Sequence, residues 1–336
     1  MRGNRIRIVI QRAQAGPPLR LAAIASTALV GGCNRHQSAL VPFGDDAADI
    51  RTITLVMVAV GAVIWVAMLA LMRHAVRAPE GRLSLATGMR TVMWLGGILP
   101  TLLLAALLIY ALPAMRPREV GPADLRIAVH GEQFWWRVAY GDDGPAAVVS
   151  ANEIRLPVGR TVAIDLTGGD VIHSFWIPGL AGKMDMIPGR TNRLVVRATK
   201  PGRYRGVCTE FCGLSHALMA FDVVAMAPEA FDTWLAAERR PAAAPDGAGA
   251  ALFAQAGCGG CHAIRGTDQS GTIGPDLTHF GARATLGAGT LDRTTANTAA
   301  FIRDPAAIKP GVRMPAFPQL SQADAVAIAR YLDGLK

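Results

Sequence analysis

Gly206-Val207-Cys208-Thr209-Glu210-Phe211-Cys212-Gly213-Leu214-Ser215-His216-Ala217-Leu218-Met219 is the stretch on which the reading of this chain turns. It gathers two thiols, an imidazole, a thioether and a carboxylate within fourteen residues. Cys208 and Cys212 stand four apart, His216 four further on, and Met219 three beyond that. The strand-like run Arg203-Tyr204-Arg205-Gly206-Val207 leads into a glycine-containing loop. Such a loop can wrap its side chains around a metal, which a straight helix cannot. Thiolate and thioether donors favour copper, and imidazole suits copper or zinc. A second imidazole lies upstream in Ile172-His173-Ser174-Phe175-Trp176. Two bridging thiolates, two histidines, a methionine and a backbone carbonyl complete a dinuclear copper site. Three plainer readings compete. A four-thiolate zinc site is disfavoured because two of the remaining cysteines sit in a separate motif. A Cys208–Cys212 disulfide is open to an exported protein. Methionine is ordinarily core filler, although Met219 lies at ligand spacing from His216.

These residues resemble subunit II of the haem-copper cytochrome c oxidases. The resemblance runs through His173-Ser174-Phe175, Lys183-Met184-Asp185-Met186-Ile187-Pro188-Gly189-Arg190, Pro201-Gly202-Arg203-Tyr204 and the cysteine cluster, from the first apolar span to about Glu238. It implies that His173, Cys208, Cys212, His216 and Met219 hold the dinuclear CuA centre, with the Glu210 carbonyl as a sixth contact. It also implies that the Glu210 carboxylate binds magnesium at the boundary with subunit I. Quinol-oxidising relatives of the same fold lack these copper ligands, so the implied donor is cytochrome c.

At 336 residues the chain has room for two or three domains. A hydrophobic fraction of 51% and a mean hydropathy of +0.30 direct attention to membrane segments. The net charge of +9 raises nucleic acid as a partner. However, the basic residues are scattered, apart from Arg2, Arg5, Arg7, Arg12 and Arg20 in a targeting segment, and nucleic acid is set aside. Cys33, Cys208, Cys212, Cys258 and Cys261 each have a chemical task.

Residues 1–32 have a signal-peptide layout: a basic start, an apolar run over 21–30, and small residues before Cys33. Gly31-Gly32-Cys33 resembles a bacterial lipoprotein signal, with Cys33 acylated; ordinary cleavage nearby is the alternative. The apolar stretches 53–72 and 92–112 make a transmembrane hairpin over 50–115, each long enough to cross about 30 Å of hydrocarbon. Arg73, Arg77, Arg82 and Arg90 in the connecting loop face only Glu80. Positive loops stay cytoplasmic, so everything after Met115 lies on the outer side of a bacterial inner membrane. Pro100 inside the second span requires some other group to satisfy the freed carbonyl. Relatives often carry a glutamate just before the tryptophan that opens this span, whereas Arg90-Thr91-Val92-Met93-Trp94 has none.

Short apolar runs between Gly, Pro and Asp turns read as strands over 125–129, 134–140, 146–150, 161–167, 193–198, 204–208 and 221–226. They place a sandwich or barrel at 120–235, and the resemblance implies a cupredoxin-like β-barrel. Phe134, Trp135 and Trp136 resemble the family's aromatic strip for electron transfer. Phe134 stands where many relatives have the tryptophan that receives electrons from soluble cytochrome c. The plainer role for at least one of the tryptophans is strand packing. The departure at Phe134 suggests that electron arrival has moved, because the chain carries its own donor.

Residues 236–249, rich in Ala, Pro and Gly, read as a linker. Beyond it Cys258-Gly259-Gly260-Cys261-His262 is a C-x-x-C-H motif for covalent c-type haem, with His262 as one axial ligand. Met314, in Arg313-Met314-Pro315, is the leading second ligand, since Met-Pro in a loop matches class I cytochromes c; His279 competes. Amphipathic helices over 250–256 and 321–335 frame the domain at 250–336, which resembles a small all-α class I cytochrome c.

Together these readings resemble a caa3-type subunit II with a fused cytochrome c. They imply electron flow from an external cytochrome c or other periplasmic donor to haem c, then CuA, then subunit I, with subunits I and III as partners. Oxygen reduction and proton pumping belong to that complex; no catalytic group for them lies in this chain. A CuA-containing nitric oxide reductase subunit shares the copper ligands, and a free-standing membrane-anchored electron carrier is the alternative from another class.

Overall fold

The computed structural model describes residues 37–79, 84–116, 121, 125–141, 147–243 and 247–336. The signal peptide over 1–32 and the lipidation of Cys33 lie outside the described residues.

Helix α1 (Asp45–Arg77) opens with Asp45 and Asp46 and closes with His74 and Arg77, charges that suit the two ends of the helix dipole. Helix α2 (Leu85–Thr91) is capped by Ser84, whose hydroxyl accepts the Thr87 N–H. It runs through a π-helical stretch, Val92–Ile98, into α3 (Leu99–Ala111). Both helical runs, Asp45–Arg77 and Leu85–Ala114, are long and apolar enough to cross a membrane. The π turn explains how Pro100 is accommodated. A proline ring crowds the carbonyl four residues back, and the wider i→i+5 pattern relieves the crowding. Accordingly Leu99 N–H donates to Trp94 O.

Among the described residues ten strands build the β-domain: β1 (Leu125–Glu132), β2 (Trp135–Tyr140), β3 (Val148–Ala151), β4 (Glu153–Pro157), β5 (Val162–Gly168), β6 (His173–Trp176), β7 (Met184–Met186), β8 (Asn192–Val196), β9 (Gly202–Cys208) and β10 (Ala220–Met226). One sheet runs β3-β2-β1-β5-β8 and the other β4-β10-β9-β6-β7, a cupredoxin-like arrangement. Alternation along the strands sends Ile127, Val129, Trp136, Val138 and Tyr140 inward. Between the sheets Phe175 stacks on Phe221 at 4.5 Å, and Trp136 meets both edge-on. That aromatic plug lies beneath the end of the barrel where β6 and β9 present His173 and Cys208.

Several strands differ from the sequence reading. The apolar pattern gives no sign of β4, β6 or β7. The last two are only four and three residues long and carry His, Ser, Met and Asp, so pairing makes them strands: His173 sits opposite Met186. Phe134 belongs to the turn before β2 rather than to the strand.

Helix α4 (Pro228–Glu238) takes in residues 236–238 of the expected linker, and Glu238 is buried. Its carbonyl accepts a bond from Arg265 Nη2, so the end of α4 is held against the C-terminal domain. That domain comprises α5 (Ala248–Gln255), the short pair β11 (Thr285–Leu286) and β12 (Leu291–Asp292), α6 (Thr295–Arg303), α7 (Pro305–Ile308) and α8 (Gln322–Gly334). Ser321 and Asp324 form a reciprocal capping box at the start of α8. Helices α5 and α8 cross closely: a Cβ at Gly249 would stand 2.4 Å from Ala327 O. Phe253, Ile264, Phe280, Ile328 and Leu332 form the core they enclose.

Candidate functional site

Strand β9 ends at Cys208, and the chain returns as β10 from Ala220; the ligand loop is everything between. Cys208 N–H donates to Met219 O at 2.9 Å, pinning the loop's two ends together. Across the sheet, Thr209 N–H donates to Ser174 O, which brings β6 and its His173 alongside. Gly213 turns the loop with φ +125°, a conformation that favours glycine, and a Cβ there would stand 2.9 Å from Gln133 Nε2.

The donors form a continuous chain. His173 Nδ1 lies 4.0 Å from Cys208 Sγ, which lies 3.9 Å from Cys212 Sγ. Cys212 Sγ is 3.6 Å from His216 Nδ1 and 3.8 Å from Met219 Sδ. Glu210 O is 3.2 Å from Cys208 Sγ. Both thiols are free and buried, and His173 is fully buried. A disulfide is therefore not what holds Cys208 and Cys212 together. Two free thiols, two imidazoles and a thioether linked in this way, with Cys208, Cys212, His173 and Met219 buried and His216 half-buried, fit ligation of a copper-type metal.

Electrostatics favour the same conclusion. A hydrogen bond from the Cys212 thiol, joined by bonds from His173 and the Ser174 and Glu210 backbone, outweighs burial and pulls the Cys208 thiol far below its ordinary range. Beside that thiolate, and itself buried, Cys212 is pushed up. The pair thus retains one proton that a metal dication would displace. Burial pulls His173 down, but hydrogen bonds to Cys208 and Asp170 outweigh it and hold the imidazole above its usual value. His173 Nε2–H donates to Asp170 Oδ1 at 2.8 Å, leaving Nδ1 directed at the thiols. This carboxylate–imidazole pairing is the usual outer support of a metal-binding histidine.

The C-x-x-C-H motif forms a tight turn, with Cys258–Gly260 as one 3-10 turn and both thiols free and half-buried. His262 Nδ1–H donates to Pro275 O at 2.7 Å, so Nε2 is the free nitrogen. Burial holds this imidazole below its ordinary pKa, in the neutral form that ligates iron. Gly274 leaves room beside it; a Cβ there would stand 2.6 Å from the ring. These residues fit a covalently bound haem. Met314 and Phe317 are both half-buried against the core of this domain. His279, the competing ligand, is engaged elsewhere: its Nε2 pairs with Arg240 O at 3.1 Å.

Trp136 is wholly buried and meets the His173 ring edge-on at 6.2 Å, while Trp135 is half-buried under the Arg137 guanidinium. Phe134 is only 4% exposed. A Cβ at Gly213 would stand 3.1 Å from its ring, and one at Gly311, in the C-terminal domain, 3.3 Å. Phe134 is thus covered by the chain's own C-terminal domain. Phe211 and Leu214, at 77% and 81% exposed, stand on the open side of the ligand loop.

Sequence reading misses the groups that join the two sites. Ser215 Oγ donates to Pro310 O at 2.6 Å, and Ala220 N–H to Ala288 O at 2.9 Å. Lys309, 2% exposed, donates to Leu218 O and Gly287 O. Arg313 Nη2 lies 3.0 Å from Asp170 Oδ2. Asp170 stands three residues before His173, a readable signal; Arg313 stands 143 residues away and leaves none.

Comparison with known proteins respects this division. Residues 142–226 match the family model of the cytochrome c oxidase subunit II periplasmic domain, and residues 247–336 match that of cytochrome c. The chain is 40% identical to cytochrome c oxidase subunit 2 of Alkalihalophilus pseudofirmus over 222 residues, spanning 65% of this chain and 63% of that protein's length. It is 32% identical to the Bacillus subtilis subunit 2 over 263 residues, spanning 71% of this chain and 73% of that protein. Among solved structures it is similar to the periplasmic domain of oxidase subunit II of Bradyrhizobium japonicum, at 34% identity over 36% of this chain and 97% of that one, TM-score 0.33.

Proposed function

This chain belongs to the cytochrome c oxidase subunit 2 family, and from that premise we propose that it is the electron-input subunit of a caa3-type oxidase. It takes electrons from cytochrome c or another periplasmic donor and delivers them to subunit I, where oxygen is reduced and protons are pumped. When bound, haem c and dinuclear copper supply one-electron transfer.

The chain's residues hold, orient and shield those groups. Cys258 and Cys261 would anchor the haem covalently, and His262 and Met314 would ligate its iron. Cys208 and Cys212 would hold the copper pair as thiolates. His173, His216, Met219 and the Glu210 carbonyl close the ligand set, and the Glu210 carboxylate, exposed beside the loop, binds magnesium at the boundary with subunit I. Trp136 and its Phe175 and Phe221 neighbours exclude water from beneath His173. The two apolar helices anchor the chain in the inner membrane. Arg73, Arg77 and Arg90 lie at the inner end of the hairpin, which leaves both redox domains on the periplasmic side. The bare apolar faces of the helices, including Trp65 at 65% exposed and Leu104 at 66%, suit lipid and the helices of subunits I and III.

One observation carries this reading: three sulfur donors and two imidazoles are linked by gaps of no more than 4.0 Å, with both thiols free. The test is purification of the tagged full chain in mild detergent. A many-span haem-copper partner should accompany it, and the preparation should consume oxygen when given reduced cytochrome c. A chain that purifies alone, or a preparation that reduces nitric oxide and not oxygen, contradicts the proposal.

A further inference from the structure

Arg313 reaches out of the haem-bearing domain into the support of the copper ligands. It directly precedes Met314 in the chain. Its Nη2 lies 3.0 Å from Asp170 Oδ2, and its Nη1 3.7 Å from Glu132 Oε2. The same Asp170 Oδ2 accepts the Gln133 N–H at 2.8 Å. The other oxygen, Oδ1, accepts from His173 Nε2 at 2.8 Å and from Val171 N–H at 2.8 Å. Gln133 reaches on to the copper loop, its Nε2 donating to Cys212 O. One carboxylate therefore connects the guanidinium of one domain to the buried imidazole of the other.

As a source of stability this contact is weak. The Arg313 side chain is 57% exposed, and ion pairs that open to water contribute little. Its position matters more than its strength. A metal-bound histidine donates electron density in proportion to how strongly its far N–H is pulled by its acceptor. A cation on Asp170 draws charge away from Oδ1 and weakens that pull.

We propose that Arg313 is a positioning residue for the copper ligand set, acting through Asp170 on His173, so that seating of the haem-bearing domain raises the copper centre's affinity for an electron. This rests on the reading of His173 as a copper ligand. The signs are fixed by charge. Removing the guanidinium strengthens the Asp170–His173 bond and takes a positive charge from the neighbourhood; both effects favour the oxidised copper. Removing the carboxylate's charge does the opposite.

The experiment uses the full chain in its purified complex and reads the copper electron paramagnetic resonance spectrum and the equilibrium sharing of one electron between haem and copper. Arg313→Gln is expected to move that sharing toward the haem by about two- to fivefold, the size of a part-exposed ion pair. Arg313→Lys restores the wild-type value, and Asp170→Asn moves it the other way. An Arg313→Gln protein whose sharing and copper spectrum equal wild type overturns the proposal, as does one that Arg313→Lys fails to rescue. A wild-type chain without a two-copper spectrum removes the underlying reading and the proposal with it, an outcome visible before any variant is made.

Discussion

Lys309 Nζ, in the haem-bearing domain, donates to Leu218 O at 2.9 Å, one residue before Met219 in the copper loop. Its second bond, to Gly287 O at 2.6 Å, stays within its own domain. A fully buried lysine thus closes the seam between two redox domains, and burial, partly opposed by Cys212, brings its amino group down to about 7.

That shift gives seating of the domain a pH dependence of definite sign. The seated value lies below the ordinary 10.5, so between about 7 and 10.5 the open form binds more protons. Seating should therefore strengthen as pH rises across that window and level off below it. Proteolysis of the linker over 239–247, monitored against pH, measures the open fraction. Lys309→Met should abolish the trend; Thr290 Oγ1 can still donate to Leu218 O or Gly287 O, so one carbonyl is left short of a partner at a cost of about 1–3 kcal/mol.

The resemblance implies an electron-entry position at Phe134, but Gly311 lies against its ring. Phe134→Trp is therefore expected to overpack the seam by about 1–3 kcal/mol without speeding copper reduction by an external cytochrome. Stopped-flow kinetics with reduced cytochrome c check this. An increase in rate would mean that the aromatic strip is still open to donors.

Gly213→Ala places a Cβ 2.9 Å from Gln133 Nε2 at a φ of +125°. Strain at such a position exceeds about 1 kcal/mol and falls on the loop that carries Cys212 and His216. Copper content per chain should drop, while haem content, set by residues in another domain, stays unchanged. Metal analysis of the purified complex distinguishes the two.

Met314→Leu conserves volume and should cost less than about 1.5 kcal/mol of stability. If Met314 ligates the haem iron as proposed, losing the thioether should make the haem high-spin and lower its potential. Optical spectra and redox titration read both changes. A haem that remains low-spin and unshifted would give the second axial position to another residue.

The parts of the site legible in the sequence are those that lie close together along it. Cys208, Cys212, His216 and Met219 share one loop, and Cys258, Cys261 and His262 share one turn, so spacing alone exposes both. The long apolar helices are legible for the same reason, since their signal is compositional and continuous. Spacing cannot show pairing across the chain. β6 and β7 are too short and too polar to read as strands, and they exist because His173 pairs opposite Met186. The linker reads longer in the sequence than in the fold because Ala236 and Ala237 suit a helix end as well as a loop. Arg313 and Lys309 look like ordinary surface charges until the fold brings them to one seam with Asp170, whose spacing from His173 is its one sequence signal.

A haem and a copper pair held by one chain as a single relay should be countable. Metal content and electron paramagnetic resonance of the full chain in its complex test this most directly. The expected result is two coppers for each haem iron contributed by this chain, with one unpaired electron shared over both copper nuclei. A single localised copper, zinc in its place, or a Cys208–Cys212 disulfide would contradict it.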